Sequence, residues 1–245
     1  MEQTRLLTAR RAYEFKPDQI RLTILTDVRI QQMIAQRFSF QANGAVTPGA
    51  TFGVVPPTLP PGLVFQLGNV TFPDQATVPV RFLHIEQQRI VFDIAGSSDA
   101  VDIAYEQLHG LLSQIVTPDG LPVLGEIARI RDYSEITAKF AFAPEDMLSP
   151  QLRIAFGSIK DEVNQRNGVE ESTLVPTLFL HAQAIDSDYA GTTLPLGSDS
   201  FQFDLRAGYK AADRIYLSTA PLTTQRHLAY LIALETALST ERDRQ

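Results

Sequence analysis

Arg89-Ile90-Val91-Phe92-Asp93-Ile94 runs into Ala95-Gly96-Ser97-Ser98-Asp99, and the reading of this stretch decides the fold. Ile90, Phe92 and Ile94 alternate with Arg89, Val91 and Asp93, the period-2 pattern of a strand with one apolar face. The short polar residues that follow can accept from the free N–H groups of a helix start. From there Val101, Ala104, Tyr105, Leu108, Leu111, Leu112 and Ile115 recur at helical spacing, while Asp102, Glu106, Gln107, Ser113 and Gln114 fall mostly on the other side. The expected unit is therefore strand, cap and amphipathic helix. Gly110 inside that helix costs about 1 kcal/mol relative to Ala, so it either marks the approach of another backbone or is simply tolerated.

A second version of this plan closes the chain. Arg214-Ile215-Tyr216-Leu217 reads as a strand, Ser218 to Pro221 as a cap region, and a helix is expected from about Leu222. Within it Leu228 to Leu234 is apolar around the whole circumference. One sheet covers one face of a helix, so this run must be buried inside a larger core or against a partner chain. His227 opens the run as the expected buried polar contact of an interface, with Tyr230, Leu231 and Leu234 as its apolar part.

Outward from these two anchors, Arg5 to Phe15 and Gln19 to Leu25 read as strands joined at Lys16-Pro17-Asp18. From Asp27 either a short capped helix runs through Arg37, with Ile30, Met33, Ile34 and Phe38 on one side, or the strand continues; the helix is the favoured reading, followed by a strand at Phe38 to Gln41. Asn43 to Gly62 carries five prolines and is expected to form no regular element. Its Phe52, Val55 and Leu59 make it too apolar to stand in water, so it should pack on the body or reach a neighbour. Pro57 to Pro60 has P-x-x-P spacing but lacks a basic flank to orient docking. Leu63 to Phe72 and Thr77 to Ile85 read as strands, and Thr117-Pro118-Asp119-Gly120 as a stop.

In the second half, Gly125 to Ile130 and Glu135 to Phe142 read as two strands. Ser149-Pro150 is a helix start, Leu152, Ala155, Phe156, Ile159 and Val163 keep helical spacing, and Asn167-Gly168 ends the run. Leu174 to Ile185 and Phe201 to Leu205 read as further strands, with Pro176 marking an edge or bulge. The fold class is α+β, mainly antiparallel sheet with long amphipathic helices, arranged as two similar sheet-plus-helix halves over 1–120 and 121–245. The two halves can still form one compact unit.

Composition narrows the function. The chain has 245 residues, enough for a substantial core, and no Cys, so disulfides, thiolate metal sites and a thiol nucleophile are excluded. A net charge of -7 with no run of like charges argues against nucleic-acid capture. Arg5, Arg10, Arg11, Lys16, Arg21, Arg29 and Arg37 are interleaved with Glu14, Asp18 and Asp27 and read as a solvated strand face. Met1 to Ala12 lacks the apolar centre of a secretory leader, and the longest apolar run falls far short of a membrane span, so a cytoplasmic protein away from membranes is expected.

No motif names a reaction. His84, His109, His181 and His227 form no H-x-x-x-H or H-x-H pair. Asp186-Ser187-Asp188 with Gly191 fails as a calcium loop, because Ala190 and Gly197 stand where ligands are required. Phosphate loops and the G-x-S-x-G elbow are missing, and Glu145-Asp146 and Glu170-Glu171 are adjacent acids rather than opposed ones. No cofactor is implied. The first expectation is a non-enzymatic interaction or scaffold protein that self-associates or serves as a subunit of an assembly, through His227, Tyr230, Leu231, Leu234, Phe52, Val55 and Leu59. The second is a module for a small apolar ligand held between sheet and helix, walled by Phe65, Phe82, Phe92, Phe203 and Tyr216. A motif-free enzyme would instead bring several of His84, Asp93, His181 and Asp204 into one cleft.

Overall fold

The computed structural model describes residues 3–46, 62–168, 175–181 and 200–242. The fold is mixed α+β around antiparallel sheet. Its strands are β1 (Gln3–Phe15), β2 (Ala42–Val46), β3 (Gly62–Thr71), β4 (Thr77–Ile85), β5 (Arg89–Ile94), β6 (Ile127–Lys139), β7 (Leu178–His181), β8 (Ser200–Leu205) and β9 (Ile215–Ala220). Its helices are α1 (Leu22–Leu25), α2 (Val28–Arg37), α3 (Ser98–Leu112), α4 (Pro150–Asn167) and α5 (Thr224–Arg242). The hydrogen-bonded order is β2-β3-β4-β5-β1-β6-β9-β8-β7.

The chain divides into two compact units. Of the described residues, 3–7, 135–168, 175–181 and 200–242 belong to unit 1, and 8–46 and 62–134 to unit 2. The division thus falls within β1 and β6 rather than at the Thr117 to Gly120 turn.

In unit 2, β2-β3-β4-β5-β1 are antiparallel throughout, with Ala9 opposite Ile94, Arg11 opposite Phe92 and Tyr13 opposite Ile90. The Ile90, Phe92 and Ile94 face packs with Val101, Ala104, Leu108 and Leu112 of α3 and with Ile34 and Phe38 in one core. Asp27 caps α2 by accepting from the Arg29 N–H at 2.8 Å. Gly110 has open space where a Cβ would stand, so no other backbone of the described chain approaches it.

Four local expectations change. Ile20 makes only a bridge to Leu124, and Leu22 to Leu25 is one helical turn, not strand. Alternating Ile20, Leu22 and Ile24 also contain an i, i+4 pair, so a run this short fits either period. Phe38 caps the end of α2 and Ser39 turns with positive φ (52°), which delays the next strand to Ala42–Val46 and puts it inside the stretch expected to be irregular. The two strands around 131–134 are one strand, β6, because Arg131 and Asp132 are cross-strand partners of β1 rather than a turn. Of the strand expected over Leu174 to Ile185, Leu178–His181 is strand, 175–177 are not, and 174 and 182–185 lie outside the described residues.

Unit 1 has a smaller centre, made of Ile136, Ala138, Phe140, Phe142, Phe203, Tyr216 and Leu231. The Phe203 and Tyr216 rings stack at 4.7 Å and Phe140 meets both edge-on. β7, β8 and β9 are antiparallel, with Phe203 opposite Leu178 and Ser218.

Candidate interaction surface

α4 is specified by its ends. Ser149 is the N-cap, accepting from the Leu152 N–H at 3.3 Å, Pro150 fills the first turn where its missing N–H costs nothing, and Gly168 closes the helix at φ 63°. Between these stops no residue of the helix is buried. Phe156 is 39% exposed, Ile159 53% and Ile154 76%. Leu152, Phe156, Ile159 and Val163 nevertheless share one face, the pattern that drives a helix onto another surface. In proteins most helical stability comes from packing of an amphipathic face rather than from propensity.

α5 turns apolar residues both toward its own core and away from it. The buried residues are Thr224, His227, Leu231 and Glu235, and Leu228, Leu234 and Leu238 pack half-buried beside them. Each polar member is satisfied. His227 Nε2 lies 2.8 Å from Ser218 Oγ, which donates in turn to the Gln202 carbonyl at 3.0 Å. Glu235 accepts from the Ala141 N–H at 2.9 Å. Burial pulls the His227 imidazole down to about 4. On the outer side Tyr230 is 61% and Ile232 52% exposed, with Ala229 and Ala233 beside them. Of the residues expected at an interface, His227 and Leu231 are therefore buried within unit 1, Leu234 is half-buried against its core, and Tyr230 is outward. Phe52, Val55 and Leu59 lie outside the described residues. Sequence reading did not single out α4 as an interface, although its spacing was visible; the missing signal was that no described residue covers its apolar face. β7 adds Phe179 and Leu180, both more than half exposed on the last strand of the sheet order.

The charged residues of unit 2 are built differently from expectation. Arg10 and Arg11 are not a solvated face. Arg10 grips the buried Asp93 at 2.6 and 2.9 Å while its guanidinium lies 5.5 Å from the Phe82 ring centre and 5.6 Å from that of Tyr133. Arg11 bonds to Asp132 at 2.6 Å and to Asp102. Burial alone would lower the Arg11 pKa, but the bonds to Asp132 and Asp102 outweigh it and raise it. Tyr13 stacks on Tyr105 at 3.8 Å, and burial raises both phenols, Tyr105 to about 12.

His84 Nδ1 lies 3.0 Å from Glu86 Oε1, which also binds Arg89 at 2.6 Å. Burial alone would raise the Glu86 carboxyl, and the His84 and Arg89 bonds overcome this and hold it low. Asp93 and His84 are thus committed to different partners. The His181 side chain lies outside the described residues. Phe65, Phe92, Phe203 and Tyr216 are fully buried among other rings rather than lining an opening. Open clefts of unit 2 lie elsewhere, one of about 820 Å³ beside Phe72, Ile103, Gly110 and Leu111 and one of about 520 Å³ beside Tyr105, His109 and Glu126. Among the described residues no three His, Asp or Glu side chains are grouped to hold a metal ion, and no helix is long and apolar enough to cross a membrane.

Compared with known proteins, the chain matches no protein family and no curated relative.

Proposed function

We propose that the chain is a protein-interaction or scaffold component whose unit 1 docks to a protein partner. The observation that carries this reading is α4, a capped helix of 18 residues with an apolar face and no buried residue. The outer side of α5 supports it, because the apolar circumference of Leu228 to Leu234 is half uncovered in the single chain. Part of that run packs in the chain's own core, and the outward Tyr230 and Ile232 are the part that a partner would cover. Contiguous exposed apolar surface on a soluble protein marks a contact site. The committed ion pairs of unit 2 fit a structural role, since buried charges must be paired to be tolerated.

The reading is tested by native mass spectrometry of complexes purified through a tag on the full chain, comparing wild type with Val163→Asp and with Tyr230→Glu. A specific complex, with itself or with another chain, is expected for wild type and is lost in the variants, whose far-ultraviolet circular dichroism stays unchanged. A complex that survives both substitutions removes these helices from the interface.

A further inference from the structure

The apolar stripe of α4 is flanked unequally. Leu152, Phe156, Ile159 and Val163 recur at spacings of four, three and four, the seam of a helix-to-helix contact. Arg153 and Lys160 each follow a seam residue and lie seven apart, so they fall along one edge of the stripe. The other edge holds Ala155 and Glu162, and Glu162 is already ion-paired with Arg166 one turn on. The first edge has less compensation. Arg153 donates to the Leu148 carbonyl at 3.0 Å and reaches Asp146 only at 3.5 Å, while Lys160 has no ion-pair partner among the described residues. One edge is therefore basic and the other self-neutralised, on a chain whose net charge is -7.

This asymmetry discriminates between occupants. In an antiparallel pairing like edges meet, so a second copy would lay the Arg153 and Lys160 edge against itself, and like charges so placed are destabilising. In a parallel pairing that edge would face Ala155 and Glu162, whose single acid is occupied by Arg166. Resting on the reading above that unit 1 docks to a protein, we infer that α4 receives an amphipathic helix of a different chain, one that carries acidic residues along the edge meeting Arg153 and Lys160.

The test uses the full chain and two synthetic helical peptides with the same Leu and Ile seam, one flanked by Glu and one by Lys, with binding followed by fluorescence anisotropy. The Glu peptide is expected to bind at least tenfold tighter at 50 mM salt, the preference shrinking at 500 mM salt and disappearing in Lys160→Glu. Equal binding of the two peptides, abolished by Val163→Asp, overturns the acidic partner but leaves the docking surface standing. Binding of neither overturns both. A dimer of the chain alone by light scattering, dissolved by Val163→Asp, overturns the inference in favour of a second copy.

Discussion

β5 of unit 2 is buried on both faces, so that Arg89 and Asp93 lie nearly as deep as Phe92, whereas α4 of unit 1 buries nothing although Leu152, Phe156, Ile159 and Val163 share a face. Unit 2 hides residues that alternation marks as polar, and unit 1 leaves out residues that helical spacing marks as apolar. Alternation reports which side chains can face a core, not whether the second face is dry. Helical spacing reports a face seeking cover, not whether its own chain supplies it. Unit 2 meets the demands of its own pattern through Arg10, Arg11 and Arg89, each paired with an acid. Unit 1 leaves its demand open.

The largest effect separating the two regions belongs to Phe92→Ala. Phe92 is fully buried against Phe38 and the α3 face, and removing its ring should cost about 3–5 kcal/mol in urea unfolding. A loss below about 1 kcal/mol would mean that the unit 2 core is not the packed body described. Next is Asp93→Ala, which strands Arg10 among apolar neighbours. Breaking a buried pair from one side costs about 3 kcal/mol or more, here reduced toward 2 because Arg10 keeps some solvent contact. Converting both partners, Arg10→Met with Asp93→Leu, should recover most of the loss. If the double variant is as unstable as the single one, the pair is not acting as a pair.

Unit 1 answers acid where unit 2 answers truncation. His227 is held near 4 by burial against an ordinary value of 6.5, so folding favours its neutral form. Its contribution is complete above pH 6.5 and is lost as pH falls toward 4, about 3 kcal/mol at 1.36 kcal/mol per unit. Hydrogen exchange should show α5 and β9 losing protection across that window before β5 and α3 do, and His227→Gln should flatten the dependence. Equal loss in both units would assign the acid response to carboxylates instead. The acid most exposed to that objection is Glu86, whose pairing with His84 and Arg89 is also lost on protonation.

Much of the strand and helix content was legible because its signals were local. Ser149-Pro150 and Gly168 delimit α4, Asp27 caps α2, and Arg89 to Ile94 forms its strand as its alternation requires. What escaped was long-range. Arg131-Asp132 looked like a break in a strand because their partners, Glu14 and Arg11, lie more than 115 residues away. His227 and Leu231 were read as interface residues because the run they open is apolar all round. No periodicity in that run reveals that Thr224, His227 and Glu235 would take the inner side, where Ser218 and the Ala141 N–H await them. The exposed side could be located only once the inner one was known.

Gly110→Ala gives a smaller effect of opposite sign. The added methyl enters open space beside Leu111 and removes backbone freedom from the unfolded chain, so it should raise stability by roughly 0.5–1 kcal/mol. Destabilisation would instead place an uncounted neighbour in the cleft next to α3.

The smallest expected change is the one that bears most on function. Phe156→Asp in α4 removes an aromatic ring, as Phe92→Ala does, yet α4 has no buried residue and its ends are held by Ser149, Pro150 and Gly168. Substitutions at exposed positions away from caps and pairs stay within about 0.5 kcal/mol, so urea unfolding of this variant should overlay that of the parent. Were it to cost 2 kcal/mol or more, Phe156 would be packed in the free chain and the uncovered face would be a core after all. If it is neutral while binding is lost, removal of an aromatic ring costs folding in unit 2 and only association in unit 1, which is the separation of roles that the two surfaces imply.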